Sequence, residues 1–242
     1  MKALDIKTVF TLSLFNIEIP ITETVIISWV VMLILIVLSL ILTRKLKEVP
    51  TGSQAILETA VEALNNFAKN QFGPFAKYLG PYMGSLFLFL LFANIIPVLS
   101  PLPLKAFGHE FKPLFEIRPP TKDINVTASL AVISILLVLI CGFAARGFCG
   151  WFKNLLNPVP IMLPFNLMDY GTRLISLALR LFGNMLGGFV LMSMIEGVLP
   201  IALPVVPSLY FDFFDGIVQA GIFVFLTSLY ISEAVKIETD LT

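Results

Sequence analysis

The sequence predicts an all-α integral membrane protein: about five membrane-crossing helices, one amphipathic surface helix, and a last pair of long, strongly tilted helices forming a hairpin. Three observations predict it. Of 242 residues, 57% are hydrophobic and 13% are charged, whereas soluble domains carry about 25% charged residues. The mean hydropathy is +0.93. The apolar residues are gathered into runs long enough for a hydrocarbon core of about 30 Å, separated by basic or proline-containing segments. Residues 1–242 read as a single polytopic membrane domain. Net charge is zero, so no nucleic acid or other polyelectrolyte partner is implied.

Residues 1–18 are mixed in charge and lack a small-residue cleavage site, so no cleavable signal is expected. The first span is 25–43, followed by Arg44, Lys45 and Lys47, a basic flank that places the next segment in the cytoplasm. In 52–72, Leu57, Ala60, Val61, Leu64 and Ala68 recur at helical spacing with Glu58, Glu62, Asn65, Asn66 and Lys69 between them. This is the pattern of an amphipathic helix, on the membrane surface or against a soluble partner domain. Thr51 with Gln54 three residues on resembles a capping box at its start.

The second span, 82–99, is stopped by Pro97, Pro101 and Pro103, and a polar loop follows over 105–123. His109 in that loop reads as a solvated residue. The third span, 124–145, ends at Arg146, and a second connection is expected over 150–164. Cys141 and Cys149 lie near this boundary with no His or Cys at metal spacing, so they read as ordinary buried residues and no metal site is expected. The proline-free stretch 165–199 is the fourth span. As one helix it measures about 52 Å, well beyond the hydrocarbon thickness, and so predicts strong tilt. The fifth span is 208–235, reached through Pro200, Pro204 and Pro207.

Five crossings put the N-terminus outside and the C-terminus in the cytoplasm. Arg44, Lys45, Lys47, Lys69, Lys77, Arg146, Lys153 and Lys236 are then inside, and Lys2, Lys7, Lys105, Lys112, Arg118 and Lys122 outside, in accord with the positive-inside rule. No fixed-period repeat and no inverted pair of broken helices is visible.

The charges within the apolar runs carry the functional signal. A charge at the bilayer centre costs roughly 2.5–3.5 kcal/mol or more, and a guanidinium stays protonated at any reachable pH. On the fourth span, Asp169, Arg173, Arg180 and Asn184 are spaced +4, +7 and +4, which confines them to one stripe. Gly183 and Gly187, beside that stripe, leave room for a neighbouring backbone. On the fifth, Asp212, Asp215 and Gln219 share a face. Glu196 lies about 160° around and 24 Å along from Arg180, so the two do not pair within the helix. A buried network of Arg180 with Asp215 or Gln219 is the structural alternative. It leaves the other acids unexplained, and an isolated buried pair tends to cost stability. Acids running from a surface toward a fixed arginine suit a cation pathway. No Gly-Lys-Ser/Thr phosphate loop, His-Glu-x-x-His or Gly-x-Ser-x-Gly motif occurs, so nucleotide binding, covalent chemistry and a cofactor are not expected of this chain.

The run Leu177-Ala178-Leu179-Arg180-Leu181-Phe182-Gly183-Asn184-Met185 resembles the signature of subunit a of the rotary F-type ATP synthase. Similar pieces accompany it in order: Pro50-Thr51-Gly52-Ser53-Gln54, Phe92-Ala93-Asn94 with Pro97, Pro120 to Thr127, Arg173-Leu174-Ile175-Ser176, Gln219-Ala220-Gly221-Ile222-Phe223, and Leu226 to Ile231. Together they span about 20–235.

The resemblance implies a multi-pass subunit of a bacterial plasma membrane, or of a chloroplast, that is not an enzyme by itself. It implies a ring of c subunits, the peripheral stalk subunit b and membrane lipid as partners. H⁺ or Na⁺ would pass through two offset half-channels to and from the ring carboxylates, with Arg180 facing those carboxylates. Asn184 and Gln219 match polar positions near the arginine, and Arg173, with Asp169 on its stripe, matches a basic position toward the cytoplasmic exit. Two departures bear on the outer pathway: Phe189 stands where many relatives have an acid or His, and Asp212 where several bacterial relatives have His and others an acid. Glu196 is expected to take the missing role, with Asp212 and Asp215 completing the route. A secondary transporter would instead show repeats or broken helices, and a purely structural anchor leaves the membrane charges without purpose.

Overall fold

The computed structural model describes residues 8–14, 17–44, 46–49, 52–95, 119–156, 159–198 and 214–235. Its elements in chain order are β1 (Thr8–Leu14), β2 (Ile17–Thr22), α1 (Glu23–Thr43), α2 (Ser53–Phe72), α3 (Ala76–Ile95), α4 (Ile124–Leu156), α5 (Leu163–Val198) and α6 (Asp215–Val235). This is the architecture of an all-α membrane protein with a small N-terminal hairpin. Four helical stretches among the described residues are long and apolar enough to cross a membrane: Glu23–Thr43, Gln54–Ile95, Ile124–Lys153 and Asp215–Val235. α5, with 36 residues, also exceeds the roughly 20 that a crossing needs.

The chain divides into two compact units. The first comprises Met1–Lys45, Leu88–Thr127 and Leu181–Ala220. Here β1 and β2 pair antiparallel, Leu12 opposite Ile19 and Leu14 opposite Ile17. Alternating β-branched and apolar residues favour this pairing, and Pro20 is tolerated because a two-stranded sheet has only edges. β2 runs directly into α1. Of the α1 residues, only Thr24 and Val31 are buried. Apart from Glu23, Ser28, Ser39 and Thr43, the rest of its surface is apolar on all sides, as expected of a helix facing lipid.

A hydrogen-bonded node holds the first unit together. Asp123 accepts from Thr24 Oγ1 at 2.8 Å and from the Asn125 backbone N–H at 2.9 Å, so one carboxylate starts α4 and fastens α1. Asn94, 1% exposed, accepts from Thr121 Oγ1 at 2.7 Å. Its amide donates to the Gly216 carbonyl at 3.3 Å. A Cβ at Gly216 would lie 2.9 Å from Asn94 Cβ, so only glycine admits this contact.

The second unit comprises Leu46–Phe87, Ala128–Arg180 and Gly221–Thr242. α2 folds against the start of α3: Ala68 and Phe72 are buried, and a Cβ at Gly80 would sit 3.3 Å from Ala68 Cβ. The expected capping box falls on Thr51. Thr51 lies outside the described residues, and the N-cap Gly52 makes no side-chain cap. Gln54 accepts from the Lys47 N–H at 3.1 Å and donates to the Lys47 carbonyl at 2.8 Å, because the backbone offers it both groups at once.

Two helix boundaries lie elsewhere than the spans expected from the sequence. α3 starts at Ala76, before the expected 82, with Pro81 inside it. As the sixth residue of the helix, Pro81 forgoes the ladder hydrogen bond to the Lys77 carbonyl, a local cost that α3 carries. α4 continues to Leu156 through a break at Gly147 (φ 70°, ψ 165°), so the expected connection over 150–164 is helical in its first half. Gly147 takes a conformation that other residues reach only with strain. The ends of the second and fourth spans beyond 95 and 198, and the start of the fifth before 214, lie outside the described residues.

Gly216→Ala is expected to destabilise the fold by about 1–3 kcal/mol, since an overpacked, backbone-close site cannot relax. Thermal denaturation in detergent measures it.

Candidate functional site

α5 carries the stripe that the sequence singles out, and the two units treat its polar residues differently. In the second unit Arg173 is held from two sides. One guanidinium nitrogen lies 2.6 Å from Asp169 Oδ2, one turn earlier. The other lies 2.7 Å from Glu233 Oε2 on α6. The guanidinium also rests over the Tyr230 ring, 4.7 Å from its centroid, and 6.0 Å from that of Tyr170. A planar, delocalised cation suits both fork-like ion pairing and stacking. Two carboxylates around one guanidinium leave the cluster with a net negative charge.

Arg180, seven residues on, is exposed. Within its own unit no described acid pairs with it; the described ion pairs there belong to Arg173. The two arginines of α5 therefore have different surroundings despite sharing a stripe.

In the first unit Asn184 Nδ2 donates to Gln219 Oε1 at 2.7 Å. Gln219 is 1% exposed. Its own Nε2 has no hydrogen-bond partner among the described residues. Asp215 is half-buried at the first position of α6. A Cβ added at Gly183 or Gly187 would meet nothing within 4 Å, so the room they leave is not filled by the described part of this chain. Glu196 lies within α5, and Asp212 lies outside the described residues.

Sequence reasoning put Asp169 and Arg173 on one stripe, grouped Asn184 with Gln219 only through the family resemblance, and missed Glu233. A signal for it exists: Glu233 follows Gln219 by 14 residues, close to four helical turns, which returns it to the same face. The node of Thr24, Asn94, Thr121 and Asp123 was also missed as a unit. Thr24, Asn94 and the Thr121–Asp123 segment are far apart in sequence, and only the fold gathers them.

These features define a class: a multi-pass helical membrane protein whose last two helices carry paired charges and amides between apolar surfaces. The family described as ATP synthase A chain matches residues 25–232. The chain is 36% identical over 219 residues to the sodium-ion-specific ATP synthase subunit a of Propionigenium modestum, covering 89% of this chain and 75% of that one. It is 39% identical over 220 residues to ATP synthase subunit a of Gloeobacter violaceus, covering 90% and 85%. The chain belongs to the ATP synthase A chain family.

Arg173→Ala and Glu233→Ala should be non-additive. A double-mutant cycle is expected to give a coupling of about 0.5–1 kcal/mol in detergent, shrinking as salt is raised, because both groups are partly exposed. Asn184→Ala is expected to cost more, about 1–3 kcal/mol, since it leaves the buried Gln219 amide without its described partner.

Proposed function

We propose that this chain is the ion-translocating stator subunit a of an F-type ATP synthase. It is not catalytic in itself and binds no nucleotide. It lies in a bacterial plasma membrane with its N-terminus outside and its C-terminus in the cytoplasm, beside a ring of c subunits and in contact with the peripheral stalk subunit b. α2 lies along the cytoplasmic surface. Two offset half-channels deliver H⁺ or Na⁺ to the ring carboxylates and remove it from them.

The observation that carries this reading is the contrast on α5. Arg173 is neutralised by Asp169 and Glu233, while Arg180 is exposed and pairs with no described acid of its unit. A guanidinium without a partner in its own unit suits a carboxylate brought by another subunit. The open space at Gly183 and Gly187 suits that subunit's helix. A fixed cation lowers the pKa of a carboxylate facing it, so a ring carboxylate gives up its ion at Arg180 and takes another on the far side. Arginine itself cannot pass a proton on and so blocks a leak between the half-channels. Each charge crossing 100 mV supplies about 2.3 kcal/mol, and such a leak would dissipate it.

Asn184 and Gln219 form the polar lining beside the arginine, with the Gln219 amide donor available to a passing ion's water or to the ring carboxylate. Asp169 and Arg173 stand toward the cytoplasmic exit. On the outer side, Glu196 replaces the acid absent at Phe189, and Asp212 with Asp215 completes the route.

Arg180→Ala is expected to abolish ATP-driven ion movement in reconstituted vesicles while the complex still assembles. Normal coupling in that variant would exclude the assignment. Glu196→Ala combined with Asp212→Ala should also stop pumping, and retained pumping would remove those two residues from the pathway.

A further inference from the structure

We propose that residues 148–156 anchor the chain in the membrane interface, with Phe148 and Phe152 in the boundary between lipid headgroups and acyl chains and Lys153 toward anionic headgroups and water. The apolar part of α4 ends at Arg146, and Gly147 at once breaks the helix with φ 70°. A break of this kind redirects the axis, so the following helical residues are free to leave the direction of the span.

One face of this segment is held by protein. Trp151 packs against Phe143 with ring centroids 4.6 Å apart and against Tyr170 at 6.3 Å. Leu155 is buried, and its carbonyl accepts from Asn166 Nδ2 at 2.8 Å. The adjacent face is covered only in part: Phe148 stacks on Phe143 with ring centroids 5.8 Å apart and leaves most of its surface open. Phe148 is 72% exposed and Phe152, one turn on, is 48% exposed. Beyond the helix end, Ile161 is 73% exposed. Lys153 lies about 100° around from Phe152 and is exposed. The segment thus has three faces: protein, aromatic and basic.

Lipid fits the exposed faces better than a protein partner does. The segment is covalently continuous with a membrane-spanning helix, so the lipid boundary lies within its reach. Residues 146–168 contain Arg146 and Lys153 and no acid, a one-sign stretch attractive to anionic headgroups. Aromatic rings beside cations are the composition of helices that lie in the interface plane.

Spin-label accessibility in the assembled complex tests the proposal. In a background of Cys141→Ala and Cys149→Ser, nitroxides are placed through Phe148→Cys, Phe152→Cys and Lys153→Cys. The complex is held in nanodiscs of phosphatidylcholine with phosphatidylglycerol. Labels at 148 and 152 should collide more with oxygen than with a water-soluble nickel chelate, and the label at 153 should show the reverse. The proposal is overturned if all three favour the nickel reagent, which puts the segment in water. It is equally overturned if the labels at 148 and 152 are shielded from both reagents, which puts a protein partner on that face. If the cysteine variants fail to assemble, Trp151 fluorescence in a Trp29→Phe chain decides. Lipids brominated near the headgroup should quench it more than lipids brominated near the chain end, and equal or absent quenching overturns the proposal.

Discussion

Lipid offers no hydrogen-bond partner, so every polar side chain placed on these apolar helices has to find one on a neighbouring helix, in water, or on another subunit. The polar residues become the fasteners because the apolar ones do not discriminate between a helix and an acyl chain. In the first unit the fasteners are neutral or singly charged: Asp123 with Thr24 and the start of α4, Asn94 with Thr121 and the Gly216 carbonyl, and Asn184 with Gln219. In the second unit they are ionic, with Arg173 between two carboxylates. Most of these bonds span a long stretch of sequence, so they fix the approach of helices that the chain itself leaves far apart.

The same rule makes Arg180 informative. Asp169 and Glu233 satisfy one guanidinium on α5 and leave the other to its surroundings. If stability alone governed the helix, an apolar residue at 180 would serve better, because a buried charge pair rarely improves on hydrophobic packing. In the role proposed for this chain, a cation that no described acid of its unit neutralises has a use: its partner carboxylate arrives, is held briefly in its charged form, and leaves. For that proposed role the permanence of the charge matters more than the affinity of any one contact.

Much of this was legible in the chain. Long apolar runs located the helices, and spacing alone located the polar stripe of Asp169, Arg173, Arg180 and Asn184. Helix ends were less legible, for physical reasons. The apolar run suggested a start at 82, whereas α3 begins at Ala76 with Pro81 inside it. The break in α4 sits at Gly147, while helical structure resumes beyond it. The N-terminal hairpin was hidden because its alternation covers few residues and lies beside a far stronger helical signal. Long-range fasteners such as Thr24 with Asp123 have no local signature, since nothing in either segment encodes the distance to the other. Glu233 was readable in principle from its recurrence on the Gln219 face.

The contact between Asn94 and Gly216 has a consequence for how this sequence can drift. Position 216 has no spare volume while an asparagine stands at 94. Exchanging the asparagine first removes the acceptor of Thr121 and the donor to the 216 carbonyl. Either order of change passes through a poorer intermediate. The two sites therefore behave as one inherited character, and a lineage that alters them has to do so almost together.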